Sequence, residues 1–246
     1  MSVFYVKNGH IQKEVAFIEG EDVKHIRDVL RYKINDELSI CDEVGKKYIT
    51  RIEQFLEDKI TLKIMKECDE TSEPSVKITL FQGMPKADKL EWIIQKGTEI
   101  GVSEIIPVMT ERVIVKLEEK NLSKKLERWN KIAMEAAKQS GRQKVPEVKN
   151  PINLKNLVEN ISKYDILLLP YECEKRVTLR SVLKNMGESC KNIGILIGPE
   201  GGFSEEEVNI FSMENVKKVT LGPRILRTET AGLVTIANVL YELEEK

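Results

Sequence analysis

From Val76 onward, short apolar runs alternate with amphipathic helical stretches, a rhythm that suits a parallel sheet covered by helices on both faces. Val76–Phe81, Glu104–Met109, Asp165–Leu169, Asn192–Ile197 and Lys218–Leu221 read as strands. Between them, Lys86–Ile100 brings Leu90, Ile93, Ile94, Gly97 and Ile100 to one side and stops at Gly101. Leu122–Ser140 does the same with Leu126, Trp129, Ile132, Ala133, Ala136 and Ala137. Residues 178–186 and Ser204–Phe211 read as shorter helices, and a last helix runs from about Thr228 to Glu244. That helix is apolar at Ala231, Leu233, Val234, Ile236, Ala237, Leu240 and Tyr241. Burial of one side does not need so much, which predicts contact with the sheet and with a second subunit.

The first 70 residues follow another grammar. Phe4–Val6, Glu37–Cys41, Lys47–Ile52 and Lys59–Ile64 read as short strands. A single helix interrupts them, with Val23, Ile26 and Leu30 inward and Lys24, Arg27 and Arg31 on another side. This predicts a small β-barrel with a basic helical edge. The polar stretch Glu70–Ser75 contains Pro74 and is the expected linker, giving domains at 1–72 and 73–246.

Several classes of protein are excluded. No window of 18 apolar residues exists, so no membrane helix is expected. Met1–Lys7 lacks the pattern of a secretory signal, which predicts a cytoplasmic protein. Cys41, Cys68, Cys173 and Cys190 lie far apart and only His10 and His25 could join them, so neither a metal site nor a disulfide framework is expected. The net charge is -1, but residues 122–149 hold eight basic and three acidic side chains. Such a local excess suits phosphate binding, or simply a solvated helix face.

The chemistry concentrates in two turns. In Ile193–Glu207 a buried strand ends at Gly198, and Pro199, Glu200, Gly201, Gly202 and Phe203 follow. Ser204 and Glu207 then form a capping box. Ligands of open parallel sheets sit beyond the carboxyl ends of the strands, so this turn faces an expected pocket. It is neither a GxGxxG dinucleotide fingerprint nor a P-loop, because no Gly-Lys-Ser/Thr follows. In Val219–Ala231 a second strand exits in Gly222-Pro223, followed by Arg224, Ile225, Leu226 and Arg227, with Thr228 as the expected helix N-cap.

The segments Leu196–Ser204 (LIGPEGGFS) and Leu221–Ala231 (LGPRILRTETA) together closely resemble the RsmE family of the SPOUT methyltransferases. His25 and Val29-Leu30-Arg31 match its N-terminal module. Lys86, Lys89, Glu91, Lys96, Glu99, Gly101 and Val102 match the helix that opens its catalytic domain. Arg128-Trp129 and Ala136–Arg142 match the next helix. The resemblance implies a PUA-like RNA-binding domain, a parallel α/β sheet with a C-terminal trefoil knot, and a homodimer. It also implies S-adenosylmethionine as methyl donor and methylation of N3 of a uridine in 16S rRNA of the small ribosomal subunit, position 1498 in the usual rRNA numbering. A SPOUT enzyme acting on another rRNA position or on tRNA is the alternative, and a non-catalytic RNA-binding protein of the same fold is a further one. Family members commonly carry an arginine near residue 3, where this chain has Ser2-Val3, so no RNA contact is assigned to the start of the chain.

The loops that would wrap the cofactor contribute Leu169, Pro170, Ile197, Gly198, Pro199, Glu200, Gly201 and Gly202. Leu221, Gly222, Ile225, Leu226, Thr228, Thr230 and Ala231 complete the set. Deprotonated uracil N3 spreads charge onto its carbonyl oxygens, which an arginine stabilises. Arg227 is the first candidate and Arg224 the second. The alternative for Arg227 is a structural ion pair with Glu229 or Glu200. Arginine is no base at neutral pH, so the proton passes to Glu229 or to solvent. Lys24, Arg27, Arg31, Lys138 and Arg142 are the expected phosphate contacts, with plain surface charge as the alternative.

Overall fold

The computed structural model of this chain describes residues 3–86, 88–113, 119–187 and 189–244, and at Glu119 and Lys120 the backbone alone. Ser2 falls outside them. The chain divides into two compact units, Met1–Glu73 with Ala137–Val145, and Pro74–Ala136 with Pro146–Lys246.

The first unit is a curled six-stranded sheet. Its elements are β1 (Val3–Tyr5), β2 (Ile11–Gln12), β3 (Val15–Glu19), α1 (Glu21–Lys24), β4 (Glu37–Cys41), β5 (Lys47–Phe55) and β6 (Lys59–Cys68). The strand order is β1-β4-β5-β6-β3-β2, parallel for β1 and β4 and antiparallel elsewhere. Alternation along β5 and β6 sends Ile52, Ile60 and Leu62 into a core with Phe4, Ile18, Ile26, Leu38 and Ile40. β2 and β3 are additions to the sequence reading; they turn at Lys13, whose φ is 49°, and β3 alternates over only five residues.

Here the sequence reading of the one helix needs correction. α1 has a single turn and runs into a π-helical turn, His25–Val29, closed by Leu30 N–H donating to the His25 carbonyl (2.9 Å). The wide turn inserts one residue, a rotation of about 100°. Val23 and Ile26 stay buried, while Leu30 swings out to 38% exposure. The residues around Glu73 are tightly tied. Its carboxylate accepts from the Arg142 guanidinium (2.5 Å) and from the backbone N–H groups of Gln143 (2.9 Å) and Lys144 (3.1 Å). The Tyr5 hydroxyl donates to the Arg142 carbonyl (2.8 Å).

The second unit opens with β7 (Lys77–Gly83), α2 (Lys89–Ile100), β8 (Glu104–Met109), α3 (Glu119–Ser140, its last four residues in the first unit), β9 (Glu147–Val148) and β10 (Ile152–Asn153). It continues with α4 (Leu154–Asn160), β11 (Ile166–Pro170), α5 (Leu179–Lys184), β12 (Asn192–Ile197), α6 (Glu205–Asn209), β13 (Val216–Val219) and α7 (Thr228–Leu243). The sheet order is β10-β8-β7-β12-β11-β13, with β9 also on β8, and every pairing is parallel. β12 is central and covered on both faces, which is why Ile193–Ile197 is apolar without alternation. On α3, Trp129, Ala133, Ala136 and Ala137 are buried as the spacing predicts. α4 escaped the sequence reading; the Asn153 side chain caps it by accepting from Asn156 N–H (2.8 Å).

α7 buries Leu233, Ile236, Val239 and Leu240 against neighbours that include α2, β7 and β12. Ala237 and Tyr241 face outward, Tyr241 at 78% exposure. Among the described residues no helix is long and apolar enough to cross a membrane, and no group of three His, Cys, Asp or Glu is placed to hold a metal ion.

Candidate active site

β13, β11, β12 and β7 are neighbours and parallel, so their carboxyl ends share one edge of the sheet. The segments 170–178, 197–203 and 220–228 leave that edge and line one cavity of about 1060 Å³. Both Gly-Pro exits, Gly198-Pro199 and Gly222-Pro223, open into it.

Most of the residues singled out from sequence meet there. Pro170, Ile197, Glu200, Gly202 and Leu221 line the cavity, as do Arg224, Ile225, Leu226, Arg227, Thr228 and Ala231. Leu169, Gly201, Glu229 and Thr230 are not in the wall. Leu169 is fully buried in the core behind it. Gly201 faces outward, its carbonyl accepting from Arg112 Nη1 (2.9 Å). Thr230 N–H closes the first turn of α7 on the Arg227 carbonyl (2.9 Å).

Close backbone approach holds these loops together. A Cβ on Gly83 would sit 2.6 Å from Pro199 N, so the end of β7 and the loop after β12 touch main chain to main chain. Gly202 has φ 65°, which glycine adopts without strain. The Thr228 hydroxyl donates to the Gly198 carbonyl (2.6 Å) and accepts from Gln82 Nε2 (2.8 Å). Thr228 is therefore no N-cap. Arg227 takes that position without a side-chain cap, because the Thr228 hydroxyl is spent on the neighbouring loop. The capping box at Ser204 and Glu207 is present as read from sequence.

Lys89, at the start of α2, was missed by the sequence reading as a site residue. Its ammonium lies 3.0 Å from Glu200 and 3.2 Å from Glu229. The charge pattern gave no hint of this, because the three residues are far apart in the chain. Burial pushes the Glu200 carboxyl up, but hydrogen bonds from backbone N–H groups and from Lys89 outweigh it and hold Glu200 below its ordinary value. Those bonds raise Lys89 in turn, Glu200 first and Glu229 after it. Arg224 and Arg227 are exposed and join no ion pair among the described residues, since Lys89 takes both candidate carboxylates. Glu172, Glu174 and Lys175 also line the cavity. The charged run that follows the buried strand at Pro170 was the available signal for them.

The basic residues expected to meet RNA behave differently from one another. Lys24 and Arg31 are exposed, and Arg27 is half-buried beside Asp28 (3.3 Å). Lys138 is held by Asp22 (2.6 Å), and Arg142 is 4% exposed and held by Glu73. An anchored, buried guanidinium is not available to a phosphate, so Arg142 departs from the sequence expectation. His25 is exposed.

A family profile described as an RNA methyltransferase domain matches residues 71–240, and one described as an RNA methyltransferase PUA domain matches residues 18–65. Ribosomal RNA small subunit methyltransferase E of Bacillus subtilis is 36% identical over 230 residues, 92% of this chain and 90% of the relative. The chain belongs to the ribosomal RNA small subunit methyltransferase E (RsmE) family. The Aquifex aeolicus member is 36% identical over 98% of this chain and 99% of its own. The crystal structure of the Neisseria gonorrhoeae member, bound to S-adenosyl methionine, superposes with a TM-score of 0.83 at 30% identity over 97% of this chain and 96% of that one. The RNA methyltransferase profile match takes in the whole cavity, from Lys89 to Ala231, of this RsmE-family chain.

Proposed function

We propose that this RsmE-family chain methylates N3 of the uridine at position 1498 of 16S rRNA in the small ribosomal subunit, with S-adenosylmethionine as donor. The carrying observation is that both Gly-Pro strand exits open into one cavity at the carboxyl edge of a parallel sheet. In the sequence domains, 1–72 is the RNA-binding module and 73–246 the catalytic one. The enzyme works in the cytoplasm, where ribosomal subunits are made.

The residues present fit the cofactor. Gly198, Gly202 and Gly222 leave main chain uncovered, and Ile197, Leu221 and Leu226 offer apolar wall to a flat base. Glu172 and Glu174 add carboxylates to the same wall, beside Lys175, while Glu200 is taken up by Lys89. S-adenosylmethionine supplies an electrophilic methyl group on sulfonium. Arg227, backed by Arg224, stabilises the charge that spreads onto the uracil carbonyls as N3 loses its proton. Alignment of the reacting atoms is the remaining task, and the loops tied by Thr228 to Gly198 and Gln82 would perform it. The proton passes to Glu229 or to solvent; Glu229 stands outside the cavity wall and is held by Lys89, which favours solvent.

The path of the chain supports a trefoil knot. Tyr171 N–H donates to the Val219 carbonyl (3.0 Å) on one side of the β13 exit. On the other side Thr220 N–H donates to the Val177 carbonyl (2.8 Å) and Leu179 N–H to the Thr220 carbonyl (3.2 Å). The loop after β11 thus brackets the exit of β13, and α7 then returns to β12 and β7. The exposed Ala237 and Tyr241 on α7, with Ile225 at 89% exposure, favour a homodimer.

Mass spectrometry of 16S rRNA from cells lacking this protein tests the substrate. Loss of N3-methyluridine is expected. Its persistence, with another methylated nucleoside missing from rRNA or tRNA, would assign the chain to a different SPOUT substrate.

A further inference from the structure

The segment from Lys24 to Ile34 shows three unusual features together. At the π-helical turn His25–Val29 and the bend after it, Val29, Leu30 and Ile34 stand out at 66%, 38% and 56% exposure. Arg31 follows at φ 57°, the left-handed position that ends many helices and that glycine normally fills. Tyr32 N–H then closes on the Ile26 carbonyl (3.1 Å) and fixes the bend. Arg31 thus presents a cationic side chain at a position where glycine would serve the backbone better.

Charge identifies the partner. Between residues 24 and 34 stand Lys24, Arg27, Arg31 and Lys33 against Asp28 alone, four minus one, an excess of three. Arg27 is beside Asp28, but Lys24, Arg31 and Lys33 join no ion pair among the described residues. Three unpaired cations around three bare aliphatic side chains suit a polyanion with apolar faces. RNA is such a ligand: phosphates meet the cations, and Leu or Ile can wedge against a base step, as such residues do in other nucleic-acid complexes.

We propose that Val29, Leu30 and Ile34 form an RNA-reading tip that packs against unstacked bases, while Lys24, Arg31 and Lys33 hold the flanking phosphates. This rests on the rRNA methyltransferase reading above. It adds which surface grips the RNA, and it gives the π-helical turn a purpose: without the inserted residue Leu30 would lie in the core beside Val23 and Ile26.

The test uses the full-length protein, with small ribosomal subunits from cells lacking it as the RNA probe. Arg31→Gly removes the charge and the strained conformation together. It is expected to raise the melting temperature while lowering RNA affinity about tenfold, and to flatten the slope of log affinity against log salt by about 0.7–0.9. Leu30→Ser is expected to lower affinity with the salt slope unchanged. Lys13→Gly, a matched loss of charge at another left-handed position (φ 49°), should stabilise without weakening RNA binding. S-adenosylmethionine affinity is measured on every variant. Failure of the wild-type protein to bind the cofactor would sink the methyltransferase reading itself. Normal cofactor binding, with RNA affinity and salt slope unchanged in Arg31→Gly and Leu30→Ser, overturns the tip alone and transfers this surface to a protein partner.

Discussion

The Thr228 hydroxyl and the Gly198 carbonyl are joined by a hydrogen bond of 2.6 Å, which stitches the first turn of α7 to the loop after β12. Thr228 is buried, and its hydroxyl also accepts from Gln82. Thr228→Val keeps the shape but leaves both partners without their bond. The expected cost is about 1–3 kcal/mol of stability, with weaker S-adenosylmethionine binding, read by thermal unfolding and calorimetric titration. A variant as stable and as tightly binding as the parent would remove the stitch from the account.

Gly83→Ala tests the main-chain contact between β7 and the cofactor loop. The new Cβ would lie 2.6 Å from Pro199 N and 2.9 Å from the Gly198 carbonyl carbon, both backbone atoms that cannot rotate away. A destabilisation of about 1–3 kcal/mol and loss of cofactor binding are expected. Calorimetry of the variant checks the second, and near-parental affinity would contradict it.

Arg227→Ala should leave folding and cofactor affinity near the parental values, because the side chain is exposed and in no ion pair among the described residues. Methylation of small subunits should fall roughly 10²–10³-fold or more, the usual cost of losing a group that stabilises developing anionic charge. Arg224→Ala should cost less. Single-turnover rates at saturating cofactor separate the two. A fully active Arg227→Ala protein ends the proposed role.

The Lys89 bridge predicts a pH window. The folded-state carboxyl of Glu200 is depressed, so its contribution to stability is present above the unfolded value and is lost as pH falls through the folded one. Lys89 is raised, so its contribution is present below the unfolded value and is lost as pH rises through the folded one. Melting temperature against pH should therefore show the parent above Glu200→Gln at neutral pH, with the two converging in acid. The gap is expected to be small, since the bridge is partly solvent-exposed. A constant gap down to acid pH would show that charge is not its cause.

The second unit was far more legible in the sequence than the contacts that complete its site. Buried parallel strands such as Ile193–Ile197 and one-sided helices such as Lys89–Ile100 announce themselves through periodicity, and the Gly-Pro exits mark where loops must turn. Lys89 could not be read in this way, because its partners Glu200 and Glu229 come from distant elements that meet only in the folded sheet. Thr228 looked like an N-cap by residue type, yet tertiary structure claimed its hydroxyl for Gly198. Leu30 fitted the helical period, and one inserted residue in the π-helical turn moved it to the surface. Arg142 looked like a phosphate contact by residue type, yet Glu73 encloses it. In each case a local rule was overridden by a partner remote in sequence or by one backbone irregularity.

The central claim is that two glycine-proline turns from neighbouring strands build one methyl-donor site. A co-crystal structure with S-adenosylmethionine tests it most directly. The ligand is expected in contact with both Gly198–Gly202 and Leu221–Ala231. Density for the ligand against only one of these segments, or elsewhere on the chain, would contradict it.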